Sequence, residues 1–130
     1  MYTDSIQTDR EGFYDITDRV REAVKKSGIR QGMAFVCSLH TTAGITVNEN
    51  ADPTVIGDLL CGLAHISPDR PEYRHLEGNS AAHLKASLVG NSTAIPIEEG
   101  RLVLGTWQGI YFCEFDGPRS RTFCVQVIPA

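Results

Sequence analysis

The sequence predicts an α+β domain, a mostly antiparallel sheet carrying about three short helices. Helical stripes occupy the middle of the chain, and strand-like alternation broken by tight turns occupies the C-terminal third. Composition agrees. At 130 residues, 42% hydrophobic and 22% charged, the chain can bury one core unaided, so residues 1–130 read as a single domain.

Tyr2 to Gln7 and Phe13 to Ile16 read as short strands around the polar turn Asp9-Arg10-Glu11-Gly12. Thr17 is placed to N-cap a helix with Val20, Ala23 and Val24 on one face and Gly28 as its C′ residue. Gly32 opens a strand, Met33 to Leu39. Its alternation sets Met33, Phe35, Cys37 and Leu39 on one face, and Ala34, Val36, Ser38 and His40 on the other. A further strand alternates Ile45, Val47 and Glu49 with Thr46, Asn48 and Asn50. Asp52 followed by Pro53 signals a helix start, and Ile56, Leu59, Leu60 and Leu63 supply its apolar stripe up to Ser67-Pro68. Ser67 to Gly78 reads as a loop. Asn79 is expected to cap a third helix, Ser80 to Val89, with Ala81, Leu84 and Leu88 inward and Gly90 ending it. Strands then follow at Thr93 to Ile97, Arg101 to Leu104, Ile110 to Asp116 and Arg121 to Ile128.

Several function classes are set aside by composition. A formal charge of −4 gives no electrostatic reason to expect nucleic acid. No apolar run approaches the ~20 residues of a membrane helix. Met1 to Ser5 has neither the basic nor the apolar region of a secretory signal, so a cytoplasmic protein is expected. Cys37, Cys61, Cys113 and Cys124 form no CxxC pair and read as buried free thiols.

Chemistry concentrates in two polar, glycine-bearing stretches. The first runs from His40-Thr41-Thr42-Ala43-Gly44 to Asn48-Glu49-Asn50-Ala51-Asp52; the second runs from His75-Leu76-Glu77-Gly78-Asn79 to His83-Leu84-Lys85. Neutral imidazoles bind metals, move protons and hydrogen-bond near neutral pH. A fold that gathered His40, His75 and His83 would make a three-histidine, zinc-type centre with one open position. Otherwise each is a hydrogen-bonded structural residue. His65, ending an apolar helix, reads as structural. Glu49 and Glu114 each share a strand face with apolar residues and need a partner: a metal, an arginine or a histidine. Gly78-Asn79-Ser80 at a helix start is a candidate anion site to which Lys85, Arg119 and Arg121 would add charge. Trp107, between glycines, reads as a lid or a core plug.

His40 to Asn50, Glu77 to Leu88, Gly105-Thr106-Trp107-Gln108-Gly109-Ile110 and Glu114 to Arg119 together closely resemble the secondary thiamine-phosphate synthase family, also called the YjbQ family. The likeness covers nearly the whole chain. It implies a barrel-like or sandwich-like sheet, a homotrimer, and a polar, metal-binding pocket at a subunit interface. It implies the joining of a hydroxymethylpyrimidine diphosphate and a thiazole phosphate to give thiamine phosphate. In that reading His40, Glu49 and His83 are catalytic, and His40, His75 and His83 hold a divalent metal, zinc or magnesium. Thr41, Asn48, Asn79, Lys85, Trp107, Glu114 and Arg119 bind the phosphorylated substrate. Two other readings use the same histidines: a metal-dependent hydrolase of a small phosphorylated or amide substrate, and a non-enzymatic binding module for a small metabolite.

Overall fold

Strand pairing is antiparallel throughout the computed structural model, which describes residues 1–130. The order is β1 (Tyr2–Gln7), β2 (Gly12–Asp15), α1 (Thr17–Ser27), β3 (Gly32–Ser38), β4 (Ala43–Glu49), α2 (Pro53–Ile66), α3 (Ser80–Val89), β5 (Ser92–Glu98), β6 (Arg101–Leu102), β7 (Gln108–Glu114) and β8 (Ser120–Pro129). A five-stranded sheet runs β1-β8-β3-β5-β6, and a three-stranded sheet runs β2-β7-β4. The α+β expectation and its three helices are therefore met.

The two sheets share one core. Ala34 and Val36 of β3, Ile45 of β4, Ile110 and Phe112 of β7 and Phe123 and Val125 of β8 meet there, closed at one side by Val20, Ala23 and Val24 of α1. The other face of β7 (Tyr111, Cys113) and Phe115 just beyond it pack with Ala82 and Ala86 of α3, and Ile56 and Leu63 of α2 lean on them. β7 is thus buried on both faces, which is why its sequence is nearly continuously apolar.

Local chemistry sets the helix ends. Asp52 accepts a hydrogen bond from the Thr54 N–H at 2.9 Å with Pro53 in the first turn, and Gly28 ends α1 at φ 70°. Thr17 does not cap α1. Ile16 holds that position, the Asp15 carboxylate accepts the Thr17 N–H, and the Thr17 hydroxyl accepts the Ile110 N–H at 2.9 Å. Asn79 holds the N-cap position of α3 but makes no side-chain capping bond: its Nδ2 donates to acids outside the helix and its Oδ1 is left without a partner. The inward face of α3 is Ala82, Lys85 and Ala86, while Leu84 and Leu88 are exposed. The sequence pattern favoured the larger apolar residues, but where α3 packs on β7 the close approach is made at the small residues Ala82 and Ala86. Strand β6 stops at Leu102, since the Leu104 N–H turns back to the Leu102 carbonyl. All four cysteines are free; Cys113 and Cys124 are buried, whereas Cys61 is exposed, against expectation.

Candidate functional site: a histidine cleft between β3, β4 and α3

His40 sits where β3 ends, in a connection to β4 that is held at several points. The Ser38 hydroxyl donates to the Ala43 carbonyl at 3.0 Å and accepts the His40 N–H at 3.3 Å. The Thr42 carbonyl accepts the Phe115 N–H. The His40 ring takes over from the strand: its Nε2 accepts the Thr122 N–H of β8 at 2.8 Å, one residue past the last β3–β8 pair, Ser38 with Phe123. A backbone donor that the ladder would leave unpaired is thereby satisfied. Burial, and then the positive charges of Arg121 and Arg119, hold the His40 pKa below the ordinary imidazole value; Glu114 opposes them.

His83 lies on the α3 face that meets this connection. His40, Thr41, Ala43, His83, Ala86, Ser87, Gly90 and Asn91 line one open cleft of about 510 Å³, within the range of small-molecule sites. His75 packs edge-to-face on His83, with ring centroids 5.4 Å apart. Histidines from a strand end, a loop and a helix are therefore brought into one neighbourhood. Ser87 and Asn91 are lining groups that the sequence reading missed. Ser87 was legible as the residue one turn after His83, on the same helix face.

Beyond His75 a second polar group is closed on itself. Asn79 Nδ2 donates to Asp116 at 2.7 Å and to Glu77 at 3.1 Å, and Arg119 reaches Asp116 at 2.8 Å and Glu77 at 3.3 Å. These contacts raise the Arg119 pKa, the Asp116 hydrogen bond being the largest cause. The groups expected to bind phosphate are thus engaged by the chain's own carboxylates. Lys85 is also engaged: its ammonium donates to Glu11 at 2.9 Å, and Lys85 is not among the cleft's lining residues.

Glu114 finds the arginine partner its apolar strand face demanded. Fully buried, it receives Arg121 Nε at 2.7 Å, Arg121 Nη2, the Thr8 hydroxyl at 2.7 Å and the Asp116 N–H at 2.9 Å. Burial alone would raise its pKa, but Arg121, the Asp116 amide and Thr8 bring it below the usual carboxylate value. Arg121 also donates to the Thr42 hydroxyl at 2.8 Å. The pair lies beneath the His40 connection and shapes it from below.

Asn48, Glu49 and Trp107 are elsewhere. They cluster at the far end of β4 from Ala43, roughly 20 Å along the strand at ~3.4 Å per residue. Glu49 accepts the Asp52 N–H at 3.2 Å, and its carbonyl accepts the Tyr111 hydroxyl. Trp107 is 63% exposed, so it does not plug the core. Within one chain these residues and the histidine cleft are separate.

A resident three-histidine metal centre does not fit the donors of one chain. The Nε2 lone pair of His40 is spent on Thr122, and no group of three His, Cys, Asp or Glu side chains converges on a common point. No helix is long and apolar enough to cross a membrane.

Comparison with known proteins places this geometry among close relatives. The family described as UPF0047 protein YjbQ-like matches residues 3–130. The chain is 52% identical over 119 residues to the UPF0047 protein MJ1081 of Methanocaldococcus jannaschii, covering 92% of this chain and 86% of that protein. It is 52% identical over 122 residues to the UPF0047 protein YugU of Bacillus subtilis, covering 93% and 92%. Among solved structures, a YjbQ/UPF0047 protein of Clostridium acetobutylicum superposes with a TM-score of 0.96 at 54% identity, over 98% of this chain and 100% of that one. The protein TT1486 of Thermus thermophilus gives 0.92 at 45% identity, over 98% and 100%.

Proposed function

The chain belongs to the YjbQ-like UPF0047 family, and on that footing we propose that it is an enzyme acting on a small phosphorylated substrate in the His40–His83 cleft. The finer reading is thiamine-phosphate synthesis. The thiazole nitrogen attacks the pyrimidine methylene carbon, the carbon–oxygen bond to the diphosphate breaks, and pyrophosphate leaves with the electron pair. The observation that carries the proposal is the convergence of His40, Thr41, His83, Ser87 and Asn91 on one cleft. The hydroxyl, amide and imidazole groups would bind diphosphate oxygens, and His83, with His75 against it, would donate a proton to the departing group. No lysine or arginine lines the cleft. The diphosphate would therefore enter as its magnesium complex.

Incubating the pure protein with both substrates and magnesium is expected to yield thiamine phosphate, and His83→Ala to slow formation about 10²–10⁴-fold. No product with any divalent metal tried would sink the synthase reading. A second reading, binding of a neutral metabolite without turnover, is favoured by the uncharged lining of the cleft apart from its imidazoles. A thermal shift with a candidate ligand in the absence of any product would select it.

The homotrimer belongs to the same proposal. Helix α2 has no buried residue, and Phe35, Leu39 and Ile128 are exposed on or beside the five-stranded sheet. Apolar surface of this extent is what a subunit interface covers. The trimer reading has a neighbouring copy supply Asn48, Glu49 and Trp107, the family-motif residues that the cleft of one chain lacks. Light scattering is expected to give three times the 14.3 kDa chain mass; a monomer at assay concentration would exclude a shared pocket.

A further inference from the structure

We propose that His40 serves the cleft as a fixed hydrogen-bond donor, its Nδ1–H directed at an oxygen of the bound ligand, and is not a metal ligand or a general base. The inference rests on the cleft being the binding site, and it names the chemistry of what binds there: an oxyanion, phosphoryl or carbonyl oxygen.

The argument begins at the other nitrogen. An imidazole that accepts a hydrogen bond at Nε2 must carry its proton at Nδ1 when neutral. The partner is the Thr122 N–H at 2.8 Å, a donor only, so the tautomer is imposed by backbone. That backbone is held in turn: Thr122 lies on β8 beside Arg121, whose guanidinium is locked to Glu114 and to the Thr42 hydroxyl. His40 itself is fixed through Ser38 and the 38–43 connection.

Nδ1 makes no hydrogen bond within the chain. Nor is it sealed in, since the only buried side-chain polar atom without a partner is Asn79 Oδ1. An unpartnered, accessible N–H on a ring that lines the cleft is a donor awaiting an acceptor. Burial lowers the basicity of the ring, which favours the neutral form this arrangement requires. Both nitrogens then have assigned tasks: the ring's one available lone pair, at Nε2, is taken by Thr122, and Nδ1 carries the proton, so no lone pair is free for a metal. This explains why three histidines can meet near one cleft without forming a metal centre. His83 and His75 carry no comparable constraint, so proton transfer falls to them.

Long-range ¹H–¹⁵N NMR of the histidine side chains in the intact ¹⁵N-labelled protein tests this without a variant. The His40 signals are expected to show Nδ1 protonated and Nε2 unprotonated at neutral pH. Magnesium pyrophosphate is expected to shift the Nδ1 signal, which magnesium alone does not, and zinc is expected to leave the ring unchanged. A protonated Nε2, a His40 signal displaced by zinc, or an Nδ1 signal indifferent to magnesium pyrophosphate would each overturn the proposal. As a second measurement, zinc affinity is expected to differ by less than twofold between the parent and His40→Gln; a tenfold loss would restore His40 as a ligand. Because these readouts need no turnover, they separate failure of this donor role from failure of the synthase reaction.

Discussion

Glu114→Ala is expected to lower the free energy of unfolding by about 3–5 kcal/mol, a large share of the ~5–15 kcal/mol typical of a domain. The cause is the charge left behind. Arg121 is 5% exposed, and without Glu114 its guanidinium keeps only the Thr42 oxygens as partners. The Asp116 N–H loses its acceptor in the same stroke, while the Thr8 hydroxyl keeps only the Arg119 carbonyl at 3.0 Å. Replacing both charges, Glu114→Leu with Arg121→Leu, is expected to recover much of the loss, since paired removal of a buried ion pair leaves no stranded charge. Urea unfolding of the single and double variants measures this. Equal destabilisation by both would show that the hydrogen bonds to neighbours, and not the stranded arginine, carry the cost.

The same pair makes the protein sensitive to acid. The folded-state pKa of Glu114 is depressed, so its stabilisation is fully present above the unfolded carboxylate value of ~4.3 and is lost as pH falls through the folded value. His40 acts in the same sense at higher pH. Its folded pKa is also lowered, so stability begins to fall once pH drops below the unfolded imidazole value of ~6.5.

Gly44→Ala is expected to cost about 3 kcal/mol, the upper end for overpacking, and to abolish ligand response at the cleft. A Cβ at Gly44 would lie 2.5 Å from the Gly90 carbonyl oxygen and 3.3 Å from Val89 Cγ1. The obstacle is backbone, and that oxygen already accepts the Ile45 N–H at 3.0 Å. Neither partner can turn aside, so β4 and the end of α3 must separate. That end of α3 and the two residues after it carry Ala86, Ser87, Gly90 and Asn91, half of the cleft lining. Denaturant unfolding together with a magnesium pyrophosphate titration would show both effects, and an unchanged midpoint would contradict the close approach.

Gly44 also shows where sequence reading stops. His40-Thr41-Thr42-Ala43-Gly44 reads only as a polar, glycine-bearing stretch, but β4 begins at Ala43 and Gly44 is a strand residue thinned to admit α3. The face of α3 was misjudged for a related reason: a helix packed this tightly buries Ala82 and Ala86 and leaves Leu84 and Leu88 outside. Charge partners were equally out of sight. Lys85 looked free for phosphate, yet it meets Glu11 from 74 positions away.

What the sequence determined by itself was local. The alternation of β3, the stripe of α1, Asp52-Pro53 at the start of α2, Gly28 after α1 and the polar loop 67–78 all follow from interactions within a few residues. The three histidines and the demand of Glu114 for a partner were legible too, because residue type and strand face suffice to raise them. Only the tertiary structure decided that Arg121 answers Glu114, that Asn79 and Arg119 are held by Glu77 and Asp116, and that His40 gives its Nε2 to Thr122. Those choices depend on which strands pair and in what register, which periodicity within one segment does not encode. They turn His40 from a free imidazole into a donor of fixed direction.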